Sequence, residues 1–190
     1  MTYKYKIVRV EMDDTDYHSF IKSLSRNFKD QHIISWTYAI IKIGIPKRAK
    51  IIVPEFQYDE EAYIKCRCDL AKFIKVERIY LKAINKSTFF ATGGDDIQYY
   101  DVTNYMKKKY NIKDFRYSSL YKYVFRYNLG EYVKPDKKLD LCSNKECGSG
   151  IHFVSSIIDA ENYFKINVLQ NYYNNVQEGE TDGIFSEDGN

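Results

Sequence analysis

The sequence predicts an α+β fold, a single mixed domain with a twisted, mainly antiparallel sheet and a few short helices. Three observations carry this. Short stretches of strand length are rich in Val, Ile, Tyr and Phe, several with alternating polarity. Two stretches instead repeat their apolar residues at helical spacing. Turn signals at Pro46, Pro54 and Gly93-Gly94 separate the runs.

The elements follow in order. Residues 3–11 alternate as a first strand. Asp13, Asp14 and Thr15 can cap a helix in which Tyr17, Phe20, Ile21, Leu24 and Phe28 share a face. Residues 33–45 are apolar and β-branched, enough for one or two strands, and Pro46 ends them because it cannot donate to a ladder. Ala49 to Val53 is extended and stops at Pro54. Residues 70–84 mix both periods, and their Val, Ile and Tyr content favours strand. Residues 91–96 are a loop, and 101–110 a short helix capped by Asp101 or Thr103. Residues 121–133 suggest a strand, a turn near Asn128 to Gly130, and a second strand. A charged loop at 134–146 precedes a short strand at Ile151 to Val154. Ser155 or Ser156 then caps a helix to about Phe164. Residues 166–173 are a further strand or a helix continuation. The expected division is a domain over 1–173 and an acidic disordered tail over 174–190.

Composition narrows the function. With 190 residues, 44% of them hydrophobic, the chain can bury one substantial core. The 19 tyrosines each offer an apolar ring and a wet hydroxyl, which suits the core's edge. Lys and Arg number 29 against 26 acids, a balance that counts against nucleic acid and membrane partners. No apolar run approaches the ~18 residues of a membrane span. The first residues lack the apolar region of a secretion signal, so the expected location is cytoplasmic.

The candidate chemistry centres on Cys147-Gly148-Ser149-Gly150-Ile151-His152-Phe153. Gly148 and Gly150 let the backbone approach something closely. His152 is either a structural histidine bonded to a carbonyl or a group facing a ligand. Arg9 and Arg67 lie on expected strands, where a guanidinium in a cleft would bind phosphate or carboxylate and one on the outer face would be solvated. Cys66, Cys68, Cys142 and Cys147 lack the two-residue gap of a zinc knuckle, so no metal ligand set is assigned. Glu178 and Glu180 have a spacing suited to binding hydroxyls, within the acidic tail.

Two resemblances bear on these residues. Ile45-Pro46 with Ala49, Cys66-Arg67, Gly130-Glu131-Tyr132-Val133-Lys134-Pro135-Asp136, and Gly150-Ile151-His152-Phe153 with Ala160 and Tyr163 occur in that order. They resemble an uncharacterised domain family of large DNA viruses, phages and some bacteria, often found with pentapeptide repeats. The resemblance covers about residues 36–165. It implies a viral or phage-like origin and supplies no mechanism; the expectation set beside it is an accessory domain that binds a host protein or small nucleotide, in the host cytoplasm. This chain has no pentapeptide repeats and carries extra residues at 85–118. More locally, Gly148-Ser149-Gly150-Ile151-His152-Phe153 with Ala160 and Tyr163 is similar to a segment of the ADP-ribosyltransferases. That likeness implies a related fold, NAD as cofactor, His152 and Glu180 in catalysis, and Arg9, Arg67, Gly148, Gly150 and Tyr163 in ligand binding. His152 stands where those enzymes carry a tyrosine. The two resulting expectations are a binding module and, as the alternative, an ADP-ribosyltransferase-like or nucleotide-binding domain.

Overall fold

The computed structural model describes residues 1–12, 22, 31–55, 63–85, 97–120, 125–144 and 148–165. The expected helix after Asp13 to Thr15, the loop at 91–96, the element at 166–173 and the tail at 174–190 lie outside the described residues.

The backbone is built on long strands. β1 (Thr2–Glu11), β2 (Gln31–Ile45) and β5 (Ala71–Asn85) pair antiparallel, with Ile7 opposite Ile40 and Ile41 opposite Val76. β6 (Ile97–Asp101) extends this sheet beyond β5. β7 (Arg116–Ser119) and β8 (Arg126–Tyr127) extend it beyond β1, and β9 (Tyr132–Val133) adds to the start of β5. The resulting order is β6-β5-β2-β1-β7-β8, with β9 beside β5. A second, three-stranded sheet runs β10 (Ile151–Phe153), β4 (Cys66–Cys68), β3 (Ile51–Ile52). The pairings among described residues are antiparallel, as expected of a mainly antiparallel α+β chain.

Both faces of the large sheet are covered, which explains why β2 is an apolar run and not a clean alternation. Val8, Ala39, Ile41, Ile43 and Phe73 pack toward the small sheet's Cys66, Cys68, Ile151 and Phe153. Ile7 and Ile40, one residue out of phase, face the opposite way and meet Ala160, Tyr163 and Phe164. Those three residues belong to or border helix α2 (Ile157–Tyr163). Phe164 stacks on Tyr80 at 5.0 Å and meets Tyr99 and Tyr38 edge-on at 4.9 and 5.5 Å. The tyrosines thus do what their chemistry favours: the ring of Tyr80 packs while its hydroxyl donates to Glu161 at 3.3 Å.

Helix α1 (Thr103–Lys109) is tied to β5, because Ile79 N–H donates to Thr103 Oγ1 at 2.7 Å. Asp101 accepts the Thr103 N–H at 2.9 Å. The strand, turn and second strand expected within 121–133 are present at 126–133, but the two strands do not pair with each other. β8 pairs with β7, whereas β9 pairs with β5, so the turn at Asn128–Glu131 hands the chain between opposite parts of the sheet. The backbone of Gly130 and Glu131 is held there by Phe73, at 2.8 and 3.0 Å.

Ser156 and Asp159 close a reciprocal capping box at the start of α2, at 3.0 and 2.9 Å. Ser156→Ala is expected to cost about 1 kcal/mol of stability. Urea denaturation monitored by circular dichroism measures it, and an unchanged midpoint would deny the cap its role.

A cleft beside β1 and a buried arginine

β1 is paired along one edge with β2 from Thr2 to Val10. Its other edge is divided. β7 holds it from Val8 to Glu11, and Val154 bridges to Tyr5 through two backbone bonds of 3.1 and 2.9 Å. Lys6 and Ile7 lie between these attachments. The edge splays open there, and a cleft with about 370 Å³ of unfilled space, part of it open to solvent, occupies the gap.

The cleft is lined by Tyr5, Lys6, Lys65, Leu120, His152 and Tyr163, among others. Among the described residues no Asp or Glu lines it. Lys6 Nζ donates to the His152 carbonyl at 2.9 Å and lies 5.6 Å from the Tyr127 ring centroid. Burial pushes its ammonium down to about 8, opposed by Cys68 and reinforced by Lys65. Lys65 Nζ sits 5.7 Å over the Tyr163 ring, which packs edge-on against Tyr63 at 5.1 Å.

The residues singled out by sequence are distributed unevenly around this cleft. His152 and Tyr163 line it. Arg9 sits on β1, between Tyr38 and Ser118 in register, and is not among the lining residues. Glu180 and Cys147 lie outside the described residues. Arg67 lies directly opposite His152 in register, yet it is 0% exposed and does not line the cleft. Period-two alternation puts Cys66 and Cys68 on the core side of β4 and Arg67 on the other.

Arg67 instead anchors a loop. Its Nε donates to the Asp140 carbonyl at 3.1 Å, and Nη2 donates to the Cys142 carbonyl. The two glycines are explained by the same side chain. A Cβ on Gly148 would stand 3.0 Å from Arg67 Cζ. One on Gly150, whose φ of +150° already disfavours other residues, would stand 2.8 Å from Leu139 Cδ1 and 3.2 Å from Arg67 Cβ. The glycine-rich corner therefore makes room for an arginine of the protein's own. The thiols beneath are inert: burial raises Cys66 and pushes Cys68 up to about 12. No cluster of three His, Cys, Asp or Glu side chains fit to hold a metal occurs among the described residues. Among those residues, too, no helix is long and apolar enough to cross a membrane.

Sequence reasoning missed Lys6 and Lys65. The signal available was weak, because a lysine alternating with Tyr and Ile on a first strand reads as its solvent face. No protein-family model, curated protein or solved structure matches the chain.

Two outcomes are expected here. Gly150→Ala should cost about 1–3 kcal/mol and Arg67→Met about 2–4 kcal/mol, the latter because two part-buried carbonyls lose their donor and the space Arg67 fills is repacked. Denaturant midpoints measure both, and values within 0.5 kcal/mol of wild type, roughly the surface-substitution range, would contradict the packing described. The Lys6 amine gives a pH dependence. Between pH 8 and 10.5 the unfolded chain holds more protons on it than the folded chain. Its penalty is therefore present below about pH 8 and relieved as pH rises to 10.5. Lys6→Met should gain stability relative to wild type at pH 7, by at most about 3 kcal/mol, and the gain should shrink by pH 10. A pH-independent difference would refute the shift.

Proposed function

We propose that this chain is a ligand-binding module, of the viral and phage accessory kind that its motifs resemble. The cleft beside β1 receives the anionic group of the ligand. One observation carries this reading: Lys6, Lys65 and His152 line one cleft, and no carboxylate among the described residues lines it. Holding a lysine amine away from water is costly, and a phosphate beside it offsets that cost. Tyr5 and Tyr163 supply ring surface next to the amines. This combination suits a small nucleotide, with phosphate against ammonium and base against ring. The volume open to water-sized groups is about 40 Å³, far below the roughly 300–1,000 Å³ usual for such sites, so the walls must part to admit more than the anionic group.

A second reading, an ADP-ribosyltransferase-like enzyme acting on NAD, is favoured by His152 and Tyr163 sharing the cleft. It needs an acid at the ribose, the role that the resemblance gives to Glu180. A host protein as ligand would have to present its own phosphate or carboxylate to the same amines.

Thermal-shift and calorimetric titrations with ATP, ADP-ribose, NAD and inorganic phosphate test the proposal at low ionic strength. Nucleoside phosphates should raise the midpoint, by ~2.7 kcal/mol of stabilisation at a hundredfold excess over Kd, whereas adenosine should not. Lys6→Met should abolish the effect. Affinity should fall as pH rises through about 8, where Lys6 loses its charge. Release of nicotinamide from NAD would favour the enzyme reading. No response to any phosphate compound would end both.

A further inference from the structure

We infer that the groove between the turn at 46–50 and the loop at 134–141 is a docking surface for an acidic polypeptide segment carrying an apolar side chain. This surface shares no lining residue with the cleft beside β1. Arg48 and Lys50 come from the turn after β2, and Lys134, Lys137 and Lys138 from the loop after β9. All five are exposed. Two carboxylates accompany them, and one of these, Asp69, already accepts the Lys50 backbone N–H at 2.8 Å. The excess of positive charge is local, in a chain whose total charge is only +3.

The floor decides the partner. Leu70, Leu139 and Leu141 line the groove, and Leu141 is 59% exposed. Among the described residues no aromatic ring lines it. Grooves that track single-stranded nucleic acid combine cations with rings on which bases stack, and that half of the pattern is missing here. An extended peptide uses both halves of what is present. Its carboxylates reach the lysine rim while an apolar side chain covers Leu141. The unfilled space, about 910 Å³ including open solvent, accommodates several residues.

The wall is also built before any partner arrives. Arg67 holds the carbonyls of Asp140 and Cys142, and Ser149 Oγ donates to the Lys138 carbonyl. Asp140 N–H donates to the Ser149 carbonyl at 3.0 Å, and Asp140 Oδ1 accepts the Cys142 N–H at 3.0 Å. A loop fixed this way loses little freedom on binding.

The test is fluorescence anisotropy of the full chain with a labelled peptide of glutamates interrupted by single leucines. Saturable binding is expected at low ionic strength, weakening as salt is added. Combined Lys137→Glu and Lys138→Glu should weaken it about tenfold. Leu141→Ser should weaken it about fivefold and leave the salt dependence unchanged. These positions are on the surface, and circular dichroism verifies that the variants fold. Lys6→Met should bind the peptide as wild type does, which separates this surface from the cleft. The inference is overturned by absence of saturable binding, by charge-reversal variants that bind unchanged, or by an oligothymidylate of equal charge that binds more tightly than the peptide.

Discussion

A buried guanidinium must find acceptors for its donors, and the satisfaction of Arg67 organises much of this molecule. Arg67 stands on the middle strand of the small sheet, facing away from the core. Among the described residues it donates to main-chain carbonyls at Asp140 and Cys142, so the loop must fold back over that sheet to supply them. The returning chain then passes so near that a Cβ at 148 would press on Arg67 and Asp140, and one at 150 would meet Leu139 and Arg67 in a backbone conformation that favours glycine. From Gly150 it enters β10 directly, which sets His152 opposite Arg67. One charge thereby fixes a loop, a strand and the spacing of the most conspicuous motif in the sequence.

The second organising element is β1. It belongs to the large sheet over most of its length, and the backbone bridge from Tyr5 to Val154 ties it to the end of β10. Two attachments at different heights on one edge cannot close against each other, and Lys6 and Ile7 are left at the opening. The cleft is thus a product of topology. Its character comes from Lys6, whose amine turns in to the His152 carbonyl. Desolvation of that amine makes its positive charge costly to hold there.

Much of the framework was legible in the sequence, for physical reasons visible in particular elements. The strands at 3–11, 33–45 and 70–84 have enough β-branched and apolar residues to outweigh alternatives, and Ser156 with Asp159 announces its helix. β6 and β7 escaped notice because they are four or five residues long and carry polar and aromatic residues in no clear alternation. The strand, turn and strand expected within 121–133 are there, but their partners β7 and β5 are set by distant parts of the chain, which local sequence does not show. For the site, sequence named His152, Tyr163 and the glycines. It could not show that Arg67 fills the space the glycines leave, since that contact joins residues about eighty positions apart. Lys6 was invisible for the same reason. Its burial depends on Lys65, His152 and Tyr127, which meet only in three dimensions.

The paired thiols of β4 have a use beyond packing. Cys66 and Cys68 face the core with their acidities suppressed, so alkylating reagents find neither a thiolate nor a path to one. They become modifiable only when the small sheet parts from the large one. The chain thus carries an intrinsic clock for that separation: the rate at which mass is added at these two sulfurs counts how often the layers come apart.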